Sequence, residues 1–389
     1  MECHFDAVAV GLIEDELAVA LQCLRGWIEC TRIRRIRDLL YTDDNVHSTQ
    51  VWRAFRHAPN SRQSEHARRC TVPRGVVPGA RPERGGVKVL LIVNSSASSV
   101  TARAKVVIQK ALSADHDVTL SETSRRGHAA RLAQGAATSG TELVIVLGGD
   151  GTLNEAANGL AGTTTALAPL PGGSTNVFAR TLGLPDDPIE ATGVLLDAVS
   201  RGSIRRVGLG SVNKRYFLFH CGIGYDAAVV AFVERRGQLK RYAGHPLFVY
   251  SAVDTWLRRY DRKHPHFAVQ HEDGMFIDDG YFGICFNTDP YTYLGARPLS
   301  LAPDATLDTA LTMVTIRSLR LSRLAALVVR ALRGKSIEGA RSVDYHADVT
   351  DFTIRGHTTF PYQVDGDYLG EVSTLRFRYE PAVLDLVIP

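Results

Sequence analysis

The sequence predicts a doubly wound parallel α/β domain followed by an antiparallel β-sandwich domain. Between residues 87 and 184, continuous apolar segments alternate with helix-type segments and short polar connections, which is the pattern of a parallel sheet covered by helices. From about residue 203 the segments are short, turn-bounded and rich in aromatic and β-branched residues, which is typical of antiparallel strands. Residues 1–86 follow neither pattern.

The first domain is assigned to residues 87–202, because strand and helix patterns alternate there. Its buried strands are expected at 87–93, 116–124, 141–149 and 165–173. Its helices are expected within 94–112, 125–140, 150–162 and 174–184.

The second domain is assigned to residues 203–389. Helices are expected at 227–260 and 318–334, where apolar residues recur at helical spacing. We leave open that the last strand returns to the sheet of the first domain. The expected strands are 205–212, 215–224, 266–274, 276–288, 307–316, 347–356, 360–370 and 373–380.

Residues 1–86 form a basic extension. Helical apolar spacing predicts a helix within 17–40, and the Arg-, Pro- and Gly-rich stretch 56–86 predicts a disordered linker. Two interpretations stay open: a dispensable extension, or an amphipathic basic helix that docks on a membrane.

Composition narrows the function classes. The chain has 45 basic and 41 acidic residues, a net charge of +4, so we expect no nucleic-acid partner. Its six cysteines have no zinc or redox spacing. No apolar run reaches the roughly 18–20 residues that span a bilayer, and acids interrupt the segment where a signal peptide would be apolar. We therefore expect a cytoplasmic protein.

The segment VIVLGGDGTLNEAANGL, residues 144–160, places three glycines and an acid where a buried strand ends. Gly148, Gly149 and Gly151 allow the backbone to turn tightly and approach a ligand, and the helix N-terminus that follows suits a phosphate. A carboxylate there would repel phosphate unless a divalent cation lies between them. Asp150 therefore indicates a nucleotide bound with Mg²⁺. A helix-capping Asp is the alternative interpretation.

Two further turns are expected to face the same crevice, because the carboxyl ends of parallel strands meet at one edge of a sheet. PLPGGSTN, residues 169–176, repeats the strand, glycine turn and hydroxyls, and NSSAS, residues 94–98, follows the first strand. A P-loop is excluded because Val329 stands where its first glycine belongs, and no GxGxxG follows the first strand.

GGDGTLNEAANGL and PGGSTNVFARTLGL together resemble the catalytic domain of the diacylglycerol kinase and sphingosine kinase superfamily, in particular its soluble bacterial lipid kinases. FHCGIGYDAAVV, residues 219–230, is similar to a segment early in that family's second domain. The resemblance covers roughly residues 88–389. It implies a Rossmann-like, NAD kinase-like first domain, ATP-dependent phosphoryl transfer to a lipid hydroxyl, and a cleft between the domains.

By the same resemblance, the first domain would hold ATP and Mg²⁺. Asp150 would act near the phosphates, and Glu155 and Asn158 would position the loop. The implied ATP-binding residues are Asn94, Ser95, Ser96, Ala97, Ser98, Thr123, Gly148, Gly149, Asp150, Gly151, Thr152, Leu153, Asn154, Glu155, Gly173, Ser174 and Asn176.

Phosphoryl transfer to an alcohol needs a group that accepts the hydroxyl proton. YQVDGDYLG places Asp365 and Asp367 on either side of Gly366 in a tight turn, although an exposed Asp-Gly hairpin has the same local sequence. The family pattern here is Asp-Gly-Glu, whose acids are the proposed base and its partner. The resemblance therefore makes Asp365 and Asp367 the catalytic candidates, beside Asp150, and leaves open which of them is the base.

Two departures from the family pattern concern the substrate and a metal. Val177 stands where bacterial diacylglycerol kinases usually have Asp, which is closer to the sphingosine kinase style. Some relatives hold a structural Mg²⁺ with an Asp-Asp-Gly segment, whereas this chain has Asp308 followed by Thr309. The corresponding ligand positions are Thr306, Thr309 and Leu311, which lack the acid that such a site needs.

The resemblance also implies a lipid substrate bound under the β-sandwich at the membrane surface. Asp226 is the candidate contact to the head group, and Tyr291, Tyr293 and Leu294 are candidates for an acyl-chain entry. A packed irregular loop is the alternative for these last three. A basic group that would suit anionic head groups, or form a solvated helix face, comprises Arg235, Arg236, Lys240 and Arg241.

The expected substrate is diacylglycerol or a related lipid, giving a phosphatidic-acid-type product. A sphingosine-type lipid, an NAD kinase-like activity and a lipid-binding homologue with impaired catalysis are the alternatives. We expect peripheral association with the inner face of the membrane, and a homodimer by resemblance only.

Overall fold

The computed structural model describes residues 86–235 and 251–389. The predicted extension, together with Arg236, Lys240 and Arg241, lies outside these ranges. The described residues form an α/β part followed by an antiparallel β part, which confirms the predicted fold class. Within them, no helix combines the length and the apolar character needed to cross a bilayer.

Four parallel strands form one end of the sheet, in the order β4-β3-β1-β2. They are β1 (Lys88–Val93), β2 (Asp117–Glu122), β3 (Leu143–Gly148) and β4 (Ala166–Pro171). Residues of β1 alternate between two cores: Leu90 and Ile92 face one of them, and Leu91 and Val93 face the other. Both faces of β1 are thus buried, as are those of β3 and β4, which explains why these three strands are almost continuously apolar in sequence, whereas the edge strand β2 is not.

Five helices accompany these strands. They are α1 (Ala102–Leu112), α2 (His128–Thr138), α3 (Asp150–Leu160), α4 (Val177–Thr181) and α5 (Pro188–Ser200). α1 and α5 share one core with the sheet, and α2 and α3 share the other. The sequence interpretation omitted α5, although it starts with a recognisable signal: Asp187 accepts the amides of Ile189 and Glu190, and Pro188 follows it.

The antiparallel part runs in the order β14-β13-β10-β7-β15-β16, with β5, β6, β8 and β9 paired beside this path. A separate two-stranded sheet contains β11 (Thr292–Leu294) and β12 (Arg297–Leu299). The strands of the main sheet are β5 (Ile204–Val212), β6 (Arg215–Phe217), β7 (His220–Gly224), β8 (Phe267–His271), β9 (Phe276–Gly280), β10 (Phe282–Phe286), β13 (Leu311–Ile316), β14 (Val343–Val349), β15 (Asp351–Val364) and β16 (Asp367–Val387).

Within the described ranges, three helical segments interrupt the antiparallel strands. They are α6 (Tyr225–Glu234), α7 over residues 251–258, and α8 (Leu321–Leu332). The helix predicted over 227–260 is described only at its two ends, because 236–250 lie outside the described residues.

β16 joins the two parts into one sheet of 14 strands. It begins at the tight turn after β15, pairs antiparallel with β5, and near its end runs parallel to β4, with Leu386 opposite Leu167. The chain therefore does return to the first sheet at its last strand. This pairing covers the edge of β4 at Leu167, and it connects the strand that follows the β15–β16 turn to the parallel strands.

Candidate active site

Three turns at the carboxyl ends of β1, β3 and β4 are held together by hydrogen bonds. The Asn94 side-chain amide donates to the Thr152 hydroxyl over 2.9 Å. The Ser99 amide donates to the Gly172 carbonyl over 2.9 Å, and the Gly172 amide donates to the Gly148 carbonyl over the same distance. The three predicted phosphate-type turns thus meet at one edge of the sheet.

The glycines of these turns allow direct backbone contact between them. A Cβ at Gly172 would lie 2.8 Å from the Gly148 nitrogen, and one at Gly173 would lie 2.8 Å from the Gly149 Cα. A side chain at either position would separate the two turns. The glycine pattern is therefore explained in part by turn-to-turn packing, in addition to the space that it leaves for a ligand.

Asp150 joins the first glycine turn to the second. Its carboxylate accepts the backbone amides of Val177 and Phe178 over 3.0 and 3.1 Å. It thereby caps α4, the helix after β4, rather than lying free in the turn. Burial raises the pKa of Asp150, and the charge of Asp367 raises it further. A carboxylate has about four acceptor positions, so these two hydrogen bonds do not use its full capacity.

Other predicted nucleotide contacts lie around these turns. The Ser95 hydroxyl donates to Glu122, and the Ser96 amide donates to the Asn94 side chain. The Thr123 amide donates to the Val93 carbonyl, where β2 ends beside β1. Ala97, Ser98 and Gly151 are part of the same turns, Ser174 is exposed at the second glycine turn, and Asn176 closes that turn by bonding to Gly173 in both directions.

Leu153, Asn154 and Glu155 do not face a nucleotide with their side chains. Leu153 is buried in the core, and Asn154 reaches into the β part, where its amide donates to Asp365 over 2.7 Å. Glu155 accepts the amides of Gly127 and Ala129 over 2.6 and 3.2 Å, and so holds the loop before α2. These three side chains therefore stabilise the turns by packing in the core and by hydrogen bonds to neighbouring segments.

Asp365 is buried, with 3% of its surface exposed. Its carboxylate accepts four hydrogen bonds, from the side-chain amide of Asn154 and from the backbone amides of Leu218, Phe219 and His220, over 2.7 to 3.1 Å. Burial raises the pKa of Asp365 to about 7, although these donors oppose the rise. Four donors occupy the acceptor capacity of one carboxylate, so Asp365 anchors the turn to the loop between β6 and β7.

Asp367 lies two residues further on and faces the first glycine turn. Both of its carboxylate oxygens lie 3.1 Å from the point that a Cβ of Gly151 would occupy. Two cationic side chains flank it: Arg126 at 3.3 Å and Arg215 at 3.9 Å. Its side chain is 20% exposed, so Asp367 can be reached from solvent while Asp365 is enclosed.

One family model and several named relatives match this chain. The family model of the diacylglycerol kinase catalytic domain matches residues 88–212. The chain therefore contains a diacylglycerol kinase catalytic domain over these residues. It is therefore a lipid kinase of the diacylglycerol kinase type.

Relatives with a known name support the same assignment. A diacylglycerol kinase of Staphylococcus epidermidis is 28% identical over 262 residues, which are 67% of this chain and 78% of the relative. One from Bacillus subtilis is 39% identical over 121 residues, 30% of this chain and 39% of the relative. A crystal structure of a diacylglycerol kinase from Bacillus anthracis has the same fold, with a TM-score of 0.58 at 22% identity, over 78% of this chain and 97% of that one.

An apolar cavity of about 220 Å³ lies in the β part of this lipid kinase. Asp226 lies at its polar end, where the Tyr291 hydroxyl and the Gln363 side-chain amide both donate to the carboxylate. Burial raises the pKa of Asp226 and that of Tyr291. The apolar lining includes Val229, Ile284, Leu299, Val314, Leu324, Leu327 and Ala331.

The other two candidates for an acyl-chain entry lie apart from this cavity lining. The Tyr293 ring lies under the Arg180 guanidinium at 3.8 Å, and Leu294 is 39% exposed. Tyr291 alone of the three predicted residues lines the cavity.

A short hydrogen-bonded path joins the cavity of the kinase to its glycine turns. The side-chain nitrogen of Gln363 donates to Asp226 over 2.8 Å, and the side-chain oxygen of Gln363 accepts the Gly366 backbone amide over 2.8 Å. Asp367 follows Gly366 and faces Gly151. The end of β15 thus spans the distance between the polar end of the cavity and the first glycine turn.

The two departures from the family pattern have clear positions in the kinase. The Val177 side chain is packed in the core, while its amide binds Asp150. The Thr309 hydroxyl bonds to backbone and hydroxyl oxygens of its own turn, including that of Thr306, and Asp308 pairs with Arg205 at 2.9 Å. Leu311 is a buried strand residue.

Three site residues were missed by sequence reasoning. Arg126 and Arg215 flank Asp367, and Gln363 links it to Asp226. Arg126 lies three residues after the predicted ATP-binding residue Thr123, and Gln363 lies in YQVDGDYLG, so both stand next to residues that the sequence had singled out. Arg215 has no local signal, because only the pairing of β5 and β6 brings it to the site.

Proposed function

We propose that this lipid kinase transfers the γ-phosphoryl group of ATP to the hydroxyl of diacylglycerol or a related lipid, giving a phosphatidic-acid-type product. The path from Asp226 through Gln363 and Gly366 to Asp367 carries the proposal, because it joins an apolar cavity to a set of phosphate-type turns. A lipid whose chain entered the cavity would present its head group beside these turns.

Asp367 is the proposed base. It is the acid of the pair that retains free acceptor capacity and exposure, whereas the oxygens of Asp365 are already occupied by four donors. In the proposed step the lipid oxygen attacks the γ-phosphorus, its proton passes to Asp367, and the bond to the bridging oxygen breaks so that ADP leaves. Arg126 and Arg215 would neutralise the transferring phosphoryl group.

ATP is proposed to bind at the three glycine and serine turns, with Mg²⁺ near Asp150. The residues fit such an ion: burial and, to a lesser extent, the charge of Asp367 raise the pKa of Asp150, so a divalent cation beside the two carboxylates would relieve their repulsion. Mg²⁺ is usually held by one or two carboxylates together with substrate phosphates. When bound, it would neutralise charge on the phosphates.

The lipid class is proposed from the cavity. At about 220 Å³ it is smaller than the roughly 300–1,000 Å³ typical of pockets that enclose a whole ligand. It would therefore take the part of an acyl chain nearest the head group. A sphingosine-type lipid is the second candidate, favoured by one observation: the buried carboxylate of Asp226 at the polar end could attract a cationic amine.

Contact with an anionic membrane is proposed at α8. Leu321 and Val328 on this helix are 63% and 51% exposed, and Val328 also lines the cavity. Residues 317–335 contain five arginines, one lysine and no acid. A basic helix with exposed apolar residues binds anionic bilayers, and here it would also admit a lipid to the cavity from the inner face of the membrane.

The phosphoryl-transfer proposal is tested with γ-labelled ATP and micelles of diacylglycerol, sphingosine and a monoacyl lipid, with NAD as a further acceptor. Wild type should label diacylglycerol in the presence of Mg²⁺. Asp367→Asn should lower kcat by about 10²–10⁴-fold with a similar KM for ATP. Glu371→Gln, an exposed acid on the same strand, should leave kcat unchanged.

The outcomes separate the alternatives. Stronger labelling of sphingosine than of diacylglycerol would change the proposed substrate to a sphingosine-type lipid. Labelling of NAD alone would overturn the assignment of a lipid substrate. No labelled product with wild type would indicate a lipid-binding homologue without catalysis.

For the membrane contact, sedimentation with anionic and neutral vesicles should show salt-sensitive binding to the anionic ones only. Leu321→Glu should weaken that binding, whereas Val106→Glu, at a position 48% exposed on α1, should not.

A further inference from the structure

A second polar cluster lies in the β part and shares no residue with the phosphoryl-transfer site. It contains His271, the last residue of β8, and Asp344 and His346 on β14. Asp344 and His346 are two positions apart on a strand, so their side chains point to the same face. β8 pairs with β9 and β15, whereas β14 pairs with β13. The cluster therefore brings together two strands that are not hydrogen-bonded neighbours.

The cluster has one candidate ligand atom from each residue, and these atoms all lie within 4.8 Å of one another. The two imidazole rings are 4.5 Å apart between centroids, and the His271 ring also packs on Phe352. Tetrahedral zinc with bonds of about 2.0–2.1 Å needs ligand atoms about 3.3 Å apart. Small side-chain rotations would therefore bring the three atoms to coordination distance.

The polar atoms of the cluster lack hydrogen bonds. Nε2 of His271, Oδ2 of Asp344 and Nε2 of His346 are all buried and have no hydrogen-bond partner among the described residues. The last two approach to 2.8 Å as an ion pair, but without hydrogen-bond geometry. His271 is only 5% exposed, so water does not readily satisfy it. Three unsatisfied atoms that converge in this way are costly unless something binds all of them.

We propose that His271, Asp344 and His346 bind a divalent transition-metal ion, Zn²⁺ in particular, that fastens β8 to β14. Two imidazoles and one carboxylate suit Zn²⁺ and its first-row neighbours, whereas Mg²⁺ and Ca²⁺ prefer oxygen ligands throughout. A water molecule would complete a tetrahedral set. The ion would bind all three atoms that lack hydrogen bonds and stabilise the antiparallel part.

The test uses the full chain, stripped with a chelator and then titrated with Zn²⁺ or Co²⁺ alone. Residues 1–85 contain four of the six cysteines, so binding is compared between variants rather than judged on wild type alone. Wild type should bind one more equivalent of Zn²⁺ than His346→Gln or Asp344→Asn. Its thermal midpoint should rise with Zn²⁺, and Co²⁺ should produce visible d–d absorption that both variants lack.

His264→Gln is the matched control, because His264 is 77% exposed and pairs only with Asp261 among the described residues. It should retain the wild-type equivalent and the wild-type thermal shift. Near-UV circular dichroism shows whether each variant is folded. Because two independent variants are used, the test remains possible if one of them does not fold. Equal Zn²⁺ stoichiometry in wild type and both folded variants would overturn the proposal. So would Zn²⁺ uptake that disappears entirely when the cysteines are alkylated.

Discussion

The carboxylate of Asp367 lies directly against Gly151: a Cβ on that glycine would be 3.1 Å from both carboxylate oxygens. The two residues are far apart in sequence and belong to β16 and α3, so their contact joins the β part to the first glycine turn. It also explains the third glycine of GGDG, because any side chain there would move the acid.

Gly151→Ala should therefore separate activity from stability. The Cβ would displace a flexible carboxylate, so we expect kcat to fall at least about tenfold, while Ala in a helix is favoured over Gly by roughly 0.5–1 kcal/mol. Kinetics and thermal unfolding measure the two effects. Gly193→Ala in α5 makes the same exchange where nothing lies within 4 Å, and it should leave kcat unchanged. Equal kcat in both variants would contradict the proposed role of Asp367.

Asp365→Asn should act mainly on stability. An Asn amide group in that position would face backbone donors, so at least two of the four hydrogen bonds would be lost. We expect a loss of roughly 2–4 kcal/mol in the free energy of unfolding, measured by urea denaturation. The exposed Asp308→Asn, which breaks a surface ion pair, should change it by less than about 1 kcal/mol. A fully stable but inactive Asp365→Asn would instead assign the base to Asp365.

The cavity should determine which lipids are accepted. Ala331→Phe would fill part of it from α8, so we expect kcat/KM for a long-chain lipid to fall about tenfold while the KM for ATP stays unchanged. Ala326→Phe adds the same ring at an exposed position of the same helix and should have little effect. If both variants accept long-chain lipid like wild type, the chain does not enter this cavity.

His220 should make the kinase sensitive to acid. It is buried among the rings of Phe219, Phe286 and Tyr291, and burial lowers its pKa from 6.5 to about 3. Below pH 6.5 the unfolded chain binds a proton that the folded chain does not, so stability is lost as the pH falls towards 3. The slope is at most about 1.4 kcal/mol per pH unit.

His220→Leu removes this contribution, and urea unfolding between pH 7 and pH 4 measures it. The variant should lose less stability than wild type over that range. Parallel curves for the two proteins would show that His220 does not remain neutral in the folded state.

Much of the fold could be predicted from local patterns. The strands β1, β3 and β4 are apolar almost throughout because both of their faces are buried, and the three turns follow them at recognisable glycines and serines. The extent of the sheet could not be predicted. Whether β16 pairs with β4 depends on β4 having an unpaired edge, and β4 is distant from β16 in the chain. The hydrophobic pattern of β16 alone contains no information about that edge.

The sequence by itself determined the α/β and β parts, the three glycine- and serine-containing turns and the Asp-Gly-Asp turn, because backbone preference and apolar periodicity are local properties. Only the tertiary structure decided what each acid does. Asp365 and Asp367 are equivalent in sequence, but three amides after β6 and the Asn154 side chain donate to Asp365, while Gly151 and two arginines face Asp367. Burial and hydrogen bonding arise where distant segments meet, and that meeting is what assigns a role to each carboxylate.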